Sequence, residues 1–173
     1  MQNKTKVWVG LLSASIVAIG GIKAHEGYRA KPYYDIGRVA TAAYGSTVYE
    51  DGTPVKITDP PVSRERGEKM LRAHVSKDEA KLKAMLPGVK LSQAEYDVYV
   101  DFAYNFGTER FRTSSMRREL LKGDHIAACK ALLKYRFAAK RDCSKPANWG
   151  PRGCKGVWTR QLKRYHKCME ANT

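Results

Sequence analysis

The chain of 173 residues is long enough for one domain with a hydrophobic core and too short for two domains of ordinary size. Its hydrophobic content of 43% is typical of a globular protein. Lys and Arg outnumber Asp and Glu by 32 to 17, and the net charge of +15 predicts an acidic partner such as nucleic acid, an anionic membrane surface or the bacterial cell wall, without choosing among them.

Residues 7–22 form an uncharged segment that follows Lys4 and Lys6. About 20 apolar residues span a bilayer, so these sixteen, many of them Gly, Ala or Ser, make a marginal transmembrane helix. The same composition fits the core of a signal peptide with a cleavage site at Ala18-x-Gly20, or an ordinary buried helix. The positive-inside tendency keeps Lys4 and Lys6 in the cytoplasm and exports the rest.

We therefore divide the chain into a signal-anchor segment at residues 1–23 and one exported domain at residues 24–173. Each small residue of the segment replaces a larger side chain that would bury more apolar area in lipid. Release of the segment from the membrane is therefore expected to be feasible. Released in this way, the segment could pack against the domain and reshape the surroundings of Glu26.

Residues 25–45 carry two carboxylates, Glu26 and Asp35, and a hydroxyl at Thr41. One helix face cannot hold both carboxylates, because a helix would bend or end at Pro32. We expect a helix that ends after Glu26, then a turn and strands carrying Asp35 and Thr41, with the carboxylates facing each other across a cleft. Glycoside hydrolysis needs such a pair. A protonated carboxyl in a partly apolar setting donates to the leaving oxygen, and an ionised one activates water or attacks the anomeric carbon.

The next elements follow from turn residues and from helical spacing. Residues 34–61 are rich in Tyr, Thr, Val, Gly and Pro, which predicts short strands and hairpins. Residues 63–86 place apolar side chains at helical spacing, and Pro87-Gly88 ends this run.

The remaining chain is predicted to be helical. Ser92 and Glu95 form a capping box that opens a helix rich in aromatic residues, which we expect in the core. Short helices follow, and residues 125–140 and 157–169 close the fold.

Four cysteines lie in the last 45 residues, at Cys129, Cys143, Cys154 and Cys168. No C-x-x-C pair occurs, so the evidence for zinc is weak, and disulfides are the expected state of an exported chain. A nested arrangement, Cys129 with Cys168 and Cys143 with Cys154, fits better than crossed links.

Two blocks of the chain resemble the phage-type lysozymes, the family 24 glycoside hydrolases. The second block is residues 91–121, which resembles the buried central helix of the family and the turn after it, and a weaker match follows near the C-terminus. The residues that carry the first block are Glu26, Gly27, Tyr33, Asp35, Thr41, Tyr44, Gly45 and Thr47.

The resemblance implies a lysozyme-like α+β fold, mostly helical with a small N-terminal β-sheet lobe. It implies that Glu26 is the general acid, Asp35 the base that activates water, and Thr41 a hydroxyl that positions this water. It also places Asn105 and Gly107 along the sugar groove, although Asn105 could equally cap backbone groups. The implied reaction cleaves the β-1,4 bond between N-acetylmuramic acid and N-acetylglucosamine in peptidoglycan, with inversion and without a cofactor or metal.

Three positions depart from the family pattern. Arg38 stands where the family usually has a glycine, and Ser46 stands where many members have a histidine. Near the C-terminus Gly156 and Arg160 match, but Arg164 replaces a glutamate. None of these changes removes a proposed catalytic carboxylate.

The N-terminal segment resembles that of the signal-anchor-release endolysins, in which an uncleaved helix leaves the membrane when a holin collapses the membrane potential. This implies a monomer that is held at the host inner membrane facing the periplasm, depends on a holin, and is then released to the periplasm for host lysis. No nucleic-acid partner is implied. A chitinase-like enzyme on the same linkage, and a non-catalytic, membrane-anchored basic protein that binds the wall or nucleic acid, are the alternatives.

Overall fold

The computed structural model describes residues 5–35 and 37–173. The helices are α1 (Ile16–Glu26), α2 (Arg64–Ala84), α3 (Gln93–Phe106), α4 (Thr108–Arg112), α5 (Ser115–Leu121), α6 (His125–Ala131) and α7 (Lys155–Glu170). The strands are β1 (Val7–Trp8), β2 (Arg29–Tyr34), β3 (Ala40–Ala43), β4 (Lys90–Leu91), β5 (Phe137–Ala138) and β6 (Arg141–Asp142). This confirms the predicted α+β class with mostly helical content.

The chain divides into two compact units. The hairpin unit is Ala14–Lys81, and the helical unit combines the residues up to Ser13 with Leu82–Thr173. Each unit is described by itself below.

In the hairpin unit, α1 begins at a serine cap and ends at a glycine. The Ser15 hydroxyl accepts a hydrogen bond from the Ala18 amide at 3.1 Å, and Gly27 ends the helix with a φ of 67°. The predicted end of this helix after Glu26 is thereby confirmed. Strands β2 and β3 then form an antiparallel hairpin in which Tyr33 lies opposite Thr41.

Helix α2 packs closely on this hairpin through a glycine. A Cβ on Gly67 would lie only 2.8 Å from the Cβ of Ala43, so any side chain there would push the helix away from β3. The observed helix confirms the prediction for residues 63–86, and it ends shortly before Pro87.

In the helical unit, α3 is the core helix that the sequence predicts. Its capping box is present, with the Ser92 hydroxyl accepting from the Glu95 amide and the Glu95 carboxylate accepting from the Ser92 amide. The side chains of Tyr96, Tyr99 and Phe102 are fully buried. Large aromatic side chains at this spacing contribute much of the apolar burial that stabilises the unit.

The C-terminal part of the helical unit is fastened by both predicted disulfides, Cys129–Cys168 and Cys143–Cys154. Arg164, which departs from the family pattern, is buried in α7 and pairs with Asp101 of α3 at 2.6 Å. Its guanidinium also donates to the Gln161 side chain. The charge of the basic residue at this position is therefore compensated by a partly buried ion pair.

The N-terminal apolar segment forms several short elements. Strand β1 pairs with β4, with Val7 opposite Leu91, and a 3-10 turn at Val9–Leu11 follows. Val9 and Leu12 are buried in the helical unit, and the second half of the segment belongs to α1. Within residues 5–35 and 37–173, no helix combines the length and apolarity that a membrane span requires.

Candidate active site

Glu26 is the last residue of α1, and its side chain is exposed. The end of the helix is held in place one turn earlier, where Lys23 forms an ion pair with Glu68 of α2. The Lys23 ammonium also lies 5.4 Å from the ring centroid of Tyr44. These contacts fix the direction in which α1 presents Glu26. The partly apolar setting expected for Glu26 is not formed by the protein alone.

The Glu26 carboxylate lies against the backbone of Gly45. A Cβ on Gly45 would be 3.1 Å from Glu26 Oε2, and the glycine has a φ of 81°. Gly45 belongs to a tight turn in which the amides and carbonyls of Ala42 and Ser46 exchange two hydrogen bonds, at 2.9 and 3.0 Å. The absence of a side chain at Gly45 therefore permits both the turn and the close approach of the carboxylate.

Asp35 lies directly after β2 and organises the turn of the hairpin. Its Oδ1 accepts a hydrogen bond from the Val39 amide at 2.8 Å, and its carbonyl accepts one from the Arg38 amide at 3.0 Å. A Cβ on Gly37 would lie 3.3 Å from the same Oδ1. One carboxylate oxygen is thus held by the backbone, which orients an otherwise exposed side chain.

Arg38 occupies the position where the family usually has glycine, and it adopts a φ of 59°. This is the left-handed region, which costs a residue with a Cβ about 1–2 kcal/mol. The turn conformation that favours glycine is therefore kept, and the arginine is strained in it.

Thr41 lies on β3 and is buried, with 3% of its surface exposed. Its hydroxyl donates to the Val39 carbonyl at 2.9 Å, so its lone pairs remain able to accept a hydrogen bond. Val39 thus binds both proposed residues, Asp35 through its amide and Thr41 through its carbonyl. Sequence reasoning missed this link, because main-chain groups leave no signal in residue identity.

Ser46 stands at the position of the family histidine and is fully buried. Its amide and carbonyl are paired with Ala42. Its hydroxyl has no hydrogen-bond partner among residues 5–35 and 37–173. At this position the chain therefore has a buried hydroxyl that is unpaired within the described residues.

Asn105 and Gly107 belong to the helical unit, whereas Glu26, Asp35 and Thr41 belong to the hairpin unit. Asn105 is half-buried near the end of α3, and Gly107 joins α3 to α4 with a φ of 87°. The structure thus brings three of the five predicted residues together in one unit. In the described part of the chain, no group of three His, Cys, Asp or Glu side chains could hold a metal ion.

Known proteins with a similar sequence or fold include phage endolysins and lysozymes. The chain is 29% identical to a SAR-endolysin of bacteriophage PS119 over 93% of this chain and 86% of that protein. Its fold matches an endolysin from Escherichia coli O157:H7 phage FAHEc1 with a TM-score of 0.76 at 22% identity, covering 94% of this chain and 96% of the other. It also matches a P22 lysozyme with a TM-score of 0.73 at 23% identity, covering 92% and 99%. Residues 23–147 match the sequence model of the phage lysozyme family, and the chain belongs to that family.

Proposed function

We propose that Glu26, Asp35 and Thr41 are the catalytic residues with which this phage lysozyme hydrolyses peptidoglycan. The substrate bond is the β-1,4 linkage between N-acetylmuramic acid and N-acetylglucosamine, and the biological outcome is lysis of the host cell. The observation that carries the proposal is the arrangement around β3. The turn after this strand contacts the Glu26 carboxylate, and the turn before it holds Asp35 beside Thr41 through Val39.

In this mechanism Glu26 donates its proton to the glycosidic oxygen while Asp35 removes a proton from the attacking water. Because Glu26 is exposed in the free protein, the bound glycan itself must exclude water from the carboxyl group. Asp35 keeps one oxygen for the water, since Oδ1 already accepts from the Val39 amide. The Thr41 hydroxyl can accept from the same water and fix its direction of attack.

The roles are tested by clearing of permeabilised Gram-negative cells with Glu26→Gln, Asp35→Asn and the wild type. Loss of a general acid or base lowers the rate by about 10²–10⁴-fold, and we expect both variants to fall in this range. Glu65→Gln is the matched control, because Glu65 is an exposed glutamate of the same unit. Clearing by Glu26→Gln at the wild-type rate would show that the acid is wrongly assigned.

A base that activates water, and does not attack the sugar, leads to inversion at the anomeric carbon. Proton NMR of the first products released from soluble glycan strands should therefore show the α-anomer before mutarotation. Initial release of the β-anomer would assign Asp35 as a nucleophile.

We further propose that residues 7–22 first serve as a membrane anchor and that the described fold is the released form. Supporting this, the relative from phage PS119 is named a SAR-endolysin. In addition, Leu11, Ile16 and Val17 are 76%, 82% and 75% exposed, although they belong to the most apolar segment of the chain. Burial of these side chains in lipid would be favourable before release. Dependence on a holin and a monomeric periplasmic form belong to the same proposal.

Mass measurement of the non-reduced protein tests this second proposal. The protein is taken from membranes before lysis and from extracts of lysing cells. We expect the full N-terminus in both fractions and two disulfides in the released form. A mature N-terminus near Gly21 in lysing cells would mean that the segment is a cleaved signal peptide.

The alternative of a basic wall-binding protein without catalysis is less well supported. The chain belongs to a family of lysozymes, and both carboxylates of the family pattern are present.

A further inference from the structure

The loop closed by the Cys143–Cys154 disulfide and the neighbouring β5–β6 hairpin share a cationic surface in the helical unit. We call it the basic loop surface. Its exposed residues are Lys140, Arg141, Lys145, Trp149, Arg152 and Lys155. Most of the loop lies at or beyond the end of the part that matches the family model, which stops at residue 147.

The positive charge of this surface is not compensated. Asp142 is the only acid between residues 136 and 155, and its carboxylate is occupied by the Ser144 hydroxyl at 2.7 Å and by Arg136 at 3.3 Å. In the part of the chain that the structure describes, none of the five exposed cations has a carboxylate within 4.0 Å. Elsewhere exposed cations do pair with acids, as Arg112 does with Glu109. These cations are therefore available to bind an anionic ligand.

The surface is also held in shape before any ligand arrives. The Trp149 indole donates to the Cys143 carbonyl at 2.9 Å, and the Asn148 amide group donates to the Asp142 carbonyl at 2.8 Å. Arg141 donates to the Arg152 carbonyl at 3.1 Å and so ties the hairpin to the loop. A preorganised surface loses little conformational entropy on binding.

Two exposed aromatic rings accompany the cations. Trp149 is 37% exposed and Phe137 is 56% exposed, and the Lys155 ammonium lies 4.6 Å from the Trp149 ring centroid. An aromatic ring can stack on the apolar face of a pyranose, while Lys and Arg pair with carboxylates. Peptidoglycan offers both groups, since its glycan strands consist of amino-sugar rings and carry stem peptides with several carboxylates as branches.

We infer that the basic loop surface is an accessory wall-binding surface that recognises the stem-peptide carboxylates of peptidoglycan. This inference rests on the peptidoglycan hydrolase function proposed above. The surface uses residues outside the proposed catalytic trio. It would keep the enzyme on the wall between cleavage events and raise the local concentration of linkages.

The test measures binding of the Glu26→Gln protein to purified Gram-negative sacculi by co-sedimentation. The loop variant adds Lys145→Gln and Arg152→Gln, two exposed side chains that form no ion pair within the part of the chain that the structure describes. The matched control adds Lys130→Gln and Lys163→Gln, which remove the same charge from exposed positions on α6 and α7. A second variant, Trp149→Leu, tests the aromatic contribution separately, and thermal unfolding checks that every protein is folded.

We expect the loop variant to bind sacculi about three- to tenfold more weakly, the equivalent of two exposed ion pairs, and the control to bind within about twofold of the parent. Converting the stem-peptide carboxylates of the sacculi to amides with a carbodiimide and ammonia, which leaves the cross-links intact, should weaken binding of the parent protein at least as much as the loop substitutions do. Equal binding by the loop variant and the control would overturn the inference. The inference would also be overturned if the loop variant lost binding to anionic phospholipid vesicles but not to sacculi. That result would identify a lipid-binding surface.

Failure of the proposed catalytic function would give a different result in the same assay. If Glu26→Gln still hydrolysed the wall, soluble muropeptides would appear in the supernatant of every sample. The comparison between the loop variant and its control would still be readable on amidated and untreated sacculi kept at 4 °C, where hydrolysis is slower.

Discussion

Gly45 stands where any side chain would press on the carboxylate of Glu26. Its φ of 81° favours glycine, and a Cβ placed 3.1 Å from Oε2 would push the carboxylate aside by a few tenths of an ångström. A displacement of about 1 Å in a catalytic group can lower the rate by about 10²-fold. The smaller shift at Gly45 costs less, and we expect Gly45→Ala to lower kcat for wall hydrolysis by about three- to tenfold.

Gly52→Ala separates this effect from simple backbone strain. Gly52 lies in the same unit with a φ of 91°, and its hypothetical Cβ meets only the flexible end of Lys77, at 3.5 Å. Both variants should lose similar thermal stability, and only Gly45→Ala should lose kcat beyond that loss. Equal kcat values for the two variants would show that the Glu26 approach has no catalytic effect.

Arg38 gives a second prediction at the scale of single residues. Glycine relieves the left-handed strain of about 1–2 kcal/mol but adds about 0.5–1 kcal/mol of backbone entropy to the unfolded state. Arg38→Gly should therefore raise the free energy of unfolding by about 0.5–1 kcal/mol, measured by urea denaturation. Arg38→Ala keeps a Cβ at the φ of 59° and should give no such gain. A gain of equal size in both variants would trace it to the arginine side chain.

The proposed site could be predicted from sequence only as far as side chains reveal it. The sequence predicts Glu26 at the end of a helix and Asp35 on a strand. The structure ends α1 at Glu26, but Pro32 lies inside β2 and Asp35 follows the end of that strand. The contacts that orient them were not predictable. They involve the backbone of Val39 and the missing side chain of Gly45, whose roles depend on a hairpin register that the sequence alone does not define.

At the scale of elements, the N-terminus of α3 gathers groups from distant parts of the chain. The Glu95 carboxylate is fully buried and accepts hydrogen bonds from Ser92, His125 and Asn172, with Lys6 at 3.7 Å. Burial by itself would raise the pKa of Glu95, but these hydrogen bonds outweigh it and hold the pKa below its ordinary value of 4.5. The sequence predicted the capping box, which is local, and not the three partners that tertiary folding brings to it.

The lowered pKa of Glu95 predicts an acid-sensitive contribution to stability. A carboxylate whose pKa is lower in the folded state stabilises the fold above its ordinary pKa, and this stabilisation is lost as the pH falls through the lowered value. Glu95→Gln should cost about 2–3 kcal/mol at pH 7, where the charged hydrogen bonds are intact. The difference from the wild type should shrink below pH 4.5. Urea denaturation at pH 7 and pH 3 measures it, and a difference independent of pH would contradict the assignment.

The two disulfides give a prediction that depends on loop length. Their cysteines are separated by 39 and 11 residues. Loop-closure entropy then assigns about 4 kcal/mol to Cys129–Cys168 and about 3 kcal/mol to Cys143–Cys154. Replacing both cysteines of a pair by Ala should reproduce this order in the free energy of unfolding. The reverse order would mean that packing around the cysteines, and not loop length, determines the loss.

Composition alone does not predict the structure of the N-terminal segment. Its uncharged sequence is compatible with lipid, with a signal peptide and with a protein core. In the fold, Val9 and Leu12 are buried while Leu11 and Ile16 remain exposed. A segment with this mixed burial can be accommodated in either environment, which is why its hydropathy did not predict the short strand and turn.

For the whole molecule, the net charge of +15 predicts a salt-dependent reaction with the wall. Raising the ionic strength from about 0.01 M to about 0.1 M shortens the Debye length from about 30 Å to about 10 Å, so charges far from the contact cease to attract the polyanion. The rate of clearing should therefore fall steeply over this range. A variant with Gln at the exposed positions Lys81, Lys130, Lys163 and Lys167 should show a shallower slope of log rate against log salt. Thermal stability should be unchanged between the two salt concentrations. If the two proteins then have identical slopes, only charges in direct contact with the wall contribute to association.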